Sequence, residues 1–309
     1  MKNLCKGTGA KFNTHNFLIV SFIFFISISF PFLHPGLCIA SEVYAKAAIL
    51  IDNTNEAVLY AKNPDLKLPP ASTTKIVTAM VALDSLDPDS LVTFSKRAAN
   101  TPSVAPRLKA GQTMQAGEVL SLALMRSVNG AAVALAEAAA GSEANFVVLM
   151  NKKVRALGVH NTKFINASGL PGRGQYTTAR DISTLLKEAL KYPLIEEIVG
   201  TRVKMLEVNN KPVLIKNTNY MLWLDDNQIG GKTGYTRAAR HCFVAASRIG
   251  DRTIIVALLG ERRRNNLWLD AKNLLRNYVM VSDNNNRETI QRVNYPVPRE
   301  NMKGDIGAL

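Results

Sequence analysis

The chain has 309 residues, of which 47% are hydrophobic and 20% charged, with a formal net charge of +14. That balance can bury a substantial core, as one large domain or two smaller ones, and it excludes a chain disordered by composition. The excess of lysine and arginine suits attraction to anionic envelope polymers or lipid headgroups as well as it suits a merely soluble basic surface, and no nucleic-acid-binding motif accompanies it.

The first forty residues differ in kind from the rest. Lys2, Lys6 and Lys11 precede an apolar run over residues 17–33, no acid occurs before Glu42, and small residues follow. This is the pattern of a secretory signal peptide over 1–40, with cleavage after Ala40 or, as an alternative, after Ala45. The run also approaches the lower length limit of an uncleaved membrane anchor. Cys38 lacks the small residues usual before a lipidated cysteine. Loss of the signal would remove three lysines, lowering the formal charge to about +11, and would remove Cys5 and Cys38. Only Cys242 then remains, so no internal disulfide can form, and its apolar surroundings, Phe243-Val244-Ala245-Ala246, mark an inert buried thiol.

A catalytic domain is expected over 41–282. Strands at 47–52 and 57–61 flank the turn Asn53-Thr54-Asn55 and predict an opening hairpin. Pro69 and Pro70 stop what precedes them. Ile76, Val77, Met80, Val81 and Leu83 then recur at helical spacing and predict a helix that begins at Ser72. After the turn-rich 84–89, a short strand at 91–94 leads into a mostly helical stretch, with helices over 118–126 and 131–139 separated by the break Ser127-Val128-Asn129-Gly130. Ser142 caps a helix over 143–157 that Gly158 closes. Residues 166–174 are too glycine-rich for regular structure, and Thr178 with Asp181 opens a further helix. From Thr201 the period becomes alternating, with strands at 203–208 and 213–216 joined by Asn209-Asn210. A hairpin of 243–247 with 253–259 and a closing helix over 267–279 follow. Beyond Ser282 the tail, 283–309, is polar and is expected to pack loosely. Strands at both ends with helices between them predict an α/β chain of α+β type, an antiparallel sheet covered by helices with an all-helical lobe inserted.

Chemistry concentrates in three short motifs. In Ser72-Thr73-Thr74-Lys75 a hydroxyl and an amine stand one helical turn apart on one face. A serine hydroxyl is a weak nucleophile until a neighbouring base takes its proton, and the start of a helix offers unpaired N–H groups to an oxyanion. Ser127-Val128-Asn129 and Lys232-Thr233-Gly234 follow in order. Singly each string is common, but the ordered set is the pattern of active-site serine enzymes that handle penicillin.

From residue 43 to 281 the chain resembles the D-alanyl-D-alanine carboxypeptidases, low-molecular-mass penicillin-binding proteins related to class A β-lactamases. Further likeness lies in Asn63-Pro64-Asp65 before Pro70-Ala71-Ser72, in the Asn166 to Pro171 loop and in Gly231-Lys232-Thr233-Gly234-Tyr235-Thr236. The resemblance implies a β-lactamase/transpeptidase-like fold and removal of the terminal D-alanine from peptidoglycan stem peptides, with inhibition by β-lactams. Ser72 would form an acyl-enzyme, Lys75 would be its base, and Ser127 would relay a proton to the leaving amine. Asn129 would bind the substrate backbone, Lys232 and Thr233 its terminal carboxylate, and Gly234 would allow close approach. Backbone N–H groups of Ser72 and Tyr235 would form the oxyanion hole. A base needs a neutral amine, so Lys75 should be desolvated and near a second cation, Lys232. The resemblance implies no cofactor and an extracytoplasmic or periplasmic location.

Departures from the family pattern are Val128 and Gly130 in the second motif. Arg262, Arg263 and Arg264 offer a carboxylate-binding arginine without a settled register, and neither a C-terminal β-domain nor an amphipathic anchor is expected. Three other readings compete. A class A β-lactamase needs a carboxylate for the deacylating water, and residues 161–175 contain no Asp or Glu. A catalytically weak exported penicillin-binding protein would not need the full reactive set. A histidine-dependent hydrolase would rest on His15, His34, His160 and His241, each more simply structural, and no cluster has metal-ligand spacing.

Overall fold

A computed structural model describes residues 43–284. The expected signal over 1–40 and the tail beyond 284 lie outside the described residues. The chain starts with the expected hairpin, β1 (Ala47–Asp52) and β2 (Ala57–Lys62), bulged between Leu50 and Ile51. It ends with three long strands, β7 (Gln228–Thr236), β8 (Arg240–Ile249) and β9 (Arg252–Glu261), followed by a final helix. These form one antiparallel sheet in the order β2-β1-β9-β8-β7, with Leu50 opposite Val256 and Val244 opposite Ala257. Strands from both ends of the chain therefore pair at the centre of the sheet.

Between β2 and β7 come helices α1 (Lys75–Leu83), α2 (Lys96–Asn100), α3 (Ala116–Leu124), α4 (Asn129–Ala140), α5 (Glu143–Ala156), α6 (Ala179–Ala189), α7 (Pro193–Gly200) and α8 (Met221–Leu224). The same insertion carries two small ribbons, β3 (Leu91–Thr93) with β4 (Thr113–Gln115) and β5 (Val203–Glu207) with β6 (Pro212–Lys216). Among the unexpected elements α7 starts with Pro193, a residue suited to a first helical turn. At the β5–β6 turn Asn209 and Asn210 both have φ 57°, the left-handed pair that a two-residue hairpin demands.

Both faces of the sheet are covered, which is why its central strands are continuous apolar runs. Alternate residues serve different cores. Ile49, Val244, Ala246, Ile255 and Ala257 join α1 and α3 to α7 in the larger one. Leu50, Phe243, Ala245, Val256 and Leu258 meet Leu267, Ala271 and Leu274 of α9 (Arg264–Asn284) in the smaller. Gly130 proves to be inside α4 rather than a break before it. A Cβ there would stand 2.4 Å from the Ala98 carbonyl oxygen, so the glycine serves close helix packing. Among the described residues no single helix is long and apolar enough to cross a membrane.

Helix α6 lies against β1, β8 and β9 and is capped as expected, the Thr178 hydroxyl accepting from Asp181 N at 3.0 Å. Thr178→Ala should therefore lower the unfolding free energy by about 1 kcal/mol. Thr178→Ser should be nearly silent, and urea denaturation of the two variants measures the difference.

Candidate active site

The first turn of the expected nucleophile helix is a 3-10 turn, Ala71–Thr74, which passes into α1 at Lys75. The change favours the chemistry, because side chains three residues apart eclipse one another in a 3-10 turn. Ser72 Oγ and Lys75 Nζ are 3.0 Å apart. Ala71 enters the turn at φ 49°, a conformation unusual for a residue with a side chain. Local bonds hold it there: Thr74 Oγ1 donates to Ala71 O at 2.8 Å and Thr73 Oγ1 to Pro70 O at 2.7 Å.

Lys75 is fully buried, and its Nζ lies 2.7 Å from both Asn129 Oδ1 and the Ser168 carbonyl oxygen. Among the described residues it has no carboxylate partner. Burial, and after it the charge of Lys232, pushes its pKa well below the ordinary lysine value. A neutral amine has two N–H donors and one lone pair. The amide oxygen of Asn129 and the carbonyl of Ser168 can only accept, so they consume both donors. The lone pair is left facing the Ser72 hydroxyl, which is the arrangement a general base requires.

Strand β7 supplies the opposite wall. Lys232 is fully buried, donates to the Thr233 carbonyl at 2.9 Å, and burial lowers its pKa to about 7. Thr233 Oγ1 donates to Thr218 Oγ1 at 2.7 Å, and Thr218 N binds Met125 O, linking the strand to the end of α3. At Gly234 a Cβ would meet Ser72 N at 2.8 Å. The strand thus touches the nucleophile turn, and the N–H of Ser72 and that of the following Tyr235 belong to adjoining backbone. The Tyr235 ring is half exposed and lies on His241, with centroids 4.5 Å apart.

Ser127 stands between α3 and α4 at φ 67°, half buried, with no hydrogen-bond partner for its hydroxyl among the described residues. Asn129 opens α4. Its Nδ2 donates to Pro102 O at 2.7 Å, leaving one amide hydrogen for a substrate carbonyl. The fold therefore joins Ser72, Lys75 and Asn129 by direct bonds, sets Gly234 against Ser72, and leaves Ser127 without a bond to Lys75 or Lys232.

Sequence reasoning overlooked three contributors. The Ser168 carbonyl lies in the 166–171 loop that shares the family likeness, but no side chain marks its role, and Thr218 left no motif to find. Of the three arginines without a register, Arg264 is half buried, and Arg126, next to Ser127, adds to burial in disfavouring its charge. Neither guanidinium has a carboxylate partner among the described residues, so together they favour an anion. Cys242 is buried and its thiol is pushed up to about 12 by that burial, an inert group. No group of three or more His, Cys, Asp or Glu among the described residues could hold a metal ion.

Residues 37–263 match the family described as D-alanyl-D-alanine carboxypeptidase. A D-alanyl-D-alanine carboxypeptidase of Bacillus subtilis is 37% identical over 222 residues, 70% of this chain and 57% of that protein. A D-alanyl-D-alanine endopeptidase of Escherichia coli is 32% identical over 238 residues, 75% of this chain and 76% of the relative. The structure of an evolved penicillin-binding protein homologue from Mycobacterium tuberculosis superposes with a TM-score of 0.75 at 29% identity, over 81% of this chain and 95% of that one.

Two buried, unpaired lysines should cost stability. Their pKa values lie below the ordinary 10.5, so near neutral pH the unfolded chain binds more protons than the folded one, and stability rises with pH. Lys232→Met should raise the unfolding free energy at pH 7 by about 1–4 kcal/mol. The gain should shrink between pH 7 and 10.5, where the unfolded lysine also loses its proton. Lys75→Met should behave in the same direction, read by thermal melts across pH.

Proposed function

This chain belongs to the D-alanyl-D-alanine carboxypeptidase family, and we propose that it is a serine-type D-Ala-D-Ala carboxypeptidase acting on peptidoglycan stem peptides. The observation that carries the proposal is the Lys75 nitrogen 3.0 Å from Ser72 Oγ, with both its N–H donors committed elsewhere. Ser72 Oγ attacks the carbonyl between the two D-alanines while its proton passes to Lys75. The developing oxyanion is received by the backbone N–H groups of Ser72 and Tyr235. Ser127, whose hydroxyl is otherwise uncommitted, hands its proton to the departing amine and takes in exchange the one that Lys75 received from Ser72, so that Lys75 is again a neutral amine. The C–N bond breaks, D-alanine leaves, and the shortened peptide stays as an ester on Ser72. Water, deprotonated through the same lysine, then cleaves the ester and restores the serine. Lys232, Thr233 and the Arg126–Arg264 pair receive the terminal carboxylate, and Asn129 holds the peptide backbone. A β-lactam enters by the same route and stays attached because its leaving nitrogen remains tethered to the acyl group and occupies the space that departing D-alanine opens to water.

A β-lactamase would need a carboxylate beside the reacting groups, and among the described residues none hydrogen-bonds to Ser72, Lys75, Ser127 or Asn129. The likeness to an endopeptidase favours a second use of the same cleft, on cross-linked peptides. We place the activity outside the cytoplasmic membrane. Val43 and Ala45 are buried, and Asp270 accepts from Tyr44 N and Ala45 N at 3.1 and 2.9 Å. Cleavage after Ala40 leaves this packing intact, whereas cleavage after Ala45 would strip it away.

The purified protein should release D-alanine from an acylated Lys-D-Ala-D-Ala tripeptide and carry a penicilloyl mass on Ser72 after benzylpenicillin. Ser72→Ala should lose both, and release of D-alanine by that variant would sink the assignment. A cross-linked muropeptide dimer as substrate separates carboxypeptidase from endopeptidase use. Protein exported and processed by its host should begin before Val43, and a mass that starts at Lys46 contradicts the processing proposed.

A further inference from the structure

Lys75 points its lone pair at Ser72 only while two acceptors hold its N–H groups. One of them, the Ser168 carbonyl, sits on an irregular loop that is itself neither helix nor strand. The loop is pinned from outside. Asn166 Oδ1 accepts from Gly169 N at 2.7 Å and closes a tight turn. Gly169, at φ 80°, passes so near Ala71 O that a Cβ would stand 1.8 Å from it. Thr78 Oγ1 of α1 donates to the Ala167 carbonyl at 2.6 Å. A further bond comes from outside the loop: Ala167 N donates to Glu143 Oε1 at 3.0 Å.

Glu143 is the first residue of α5, and only 8% of it is exposed. Its second oxygen receives Arg97 of α2, whose side chain is 66% exposed. An isolated buried carboxylate is costly, and here the charge is matched on one side by a guanidinium and on the other by a backbone N–H. Because Arg97 is largely in water, its share is small, and the bond to Ala167 is the one that shapes the loop. Residue 167 is held at its N–H by α5 and at its carbonyl by α1, and the next carbonyl in the chain is the one that meets Lys75.

We propose that Glu143 is a positioning residue for acylation, fixing the Ser168 carbonyl through Ala167 so that Lys75 keeps its lone pair on Ser72. The inference rests on the reading of Lys75 as the base. It assigns a carboxylate that touches neither substrate nor nucleophile a defined influence on the base, one bond removed. It also explains why an acid lies close to this loop although residues 161–175 contain none. The groups facing Lys75 are Ser72 on its own turn, Asn129 on α4, the Ser168 carbonyl and, as the single charged one among the described residues, Lys232 on β7.

The test compares the full-length protein with Glu143→Ala, Glu143→Gln and Glu143→Asp by two readouts. Amide hydrogen exchange at Ala167 should quicken at least tenfold in Glu143→Ala and stay near the original rate in Glu143→Gln, whose amide oxygen still accepts the bond. The rate of Ser72 acylation by benzylpenicillin should fall tenfold or more in Glu143→Ala. Its acidic limb should move to higher pH, because a loosened loop admits water to Lys75 and eases its desolvation. Glu143→Gln should restore rate and limb to within about threefold, the loss expected when a neutral acceptor replaces a charged one. If Glu143→Ala does not fold, Glu143→Asp, with shorter reach, should show the same changes in weaker form. Unchanged acylation in a variant whose Ala167 amide has been freed overturns the proposal. So does a loss of equal size at every pH with the limb unmoved, which is the mark of a general structural defect. If the original protein is not acylated at all, the reading of Ser72 fails instead, while the exchange data still report whether Glu143 holds the loop.

Discussion

Two lysine amines buried together, with no carboxylate between them among the described residues, are the constraint on which this structure turns. Lys75 and Lys232 are among its largest fully buried side chains. Moving one such group from water into a protein interior costs several kcal/mol if it stays charged. Their proximity adds repulsion to that cost, and the Lys75 pKa is held well below the ordinary lysine value, the direction a base requires. A salt bridge at either lysine would have stabilised the fold and silenced the serine.

Holding the two together needs a frame that does not yield. Lys232 stands on β7, an edge strand of a sheet buried on both faces. Lys75 begins α1, which is sunk in the larger core through Ile76, Val77 and Met80. The meeting of strand and helix is then a matter of removing side chains. Gly234 lets β7 lie against Ser72, and Gly169 lets the loop lie against Ala71. Where no glycine is used the backbone is bent instead, at Ala71 and Ser127, each with positive φ. Such conformations cost of order 1–3 kcal/mol apiece and persist where surrounding structure overdetermines them. Both lie on or next to residues given a chemical role.

How far the sequence could be read follows from what each feature writes into it. Strands β1, β2, β8 and β9 and helices α1, α3 to α6 and α9 were legible from their apolar runs and periods, whereas β7, interrupted by Gly230, Gly231 and Gly234, and the eight-residue α7 were not. Ser72, Lys75, Asn129 and Lys232 were legible because their chemistry demands particular side chains at fixed spacing. The elements that were not foreseen are short or unperiodic: β4 has three residues and α8 four. Gly130 looked like a break because a glycine kept for close packing reads the same as one kept for a turn. The Ser168 carbonyl could not be singled out within its loop, since any residue carries one. Glu143 and Arg264 are visible as charged residues, but only tertiary placement shows that one reaches the catalytic loop and the other the vicinity of Ser127.

The state of Lys75 is the central point, and it can be observed without substrate. Nitrogen-15 NMR of the lysine Nζ, with Lys75→Met to assign the signal, follows its protonation from pH 5 to 11. A Lys75 signal that loses its proton well below the pH at which the exposed lysines lose theirs is the predicted result. An ammonium that persists until pH 10 would contradict the account, since the nucleophile would then have no base.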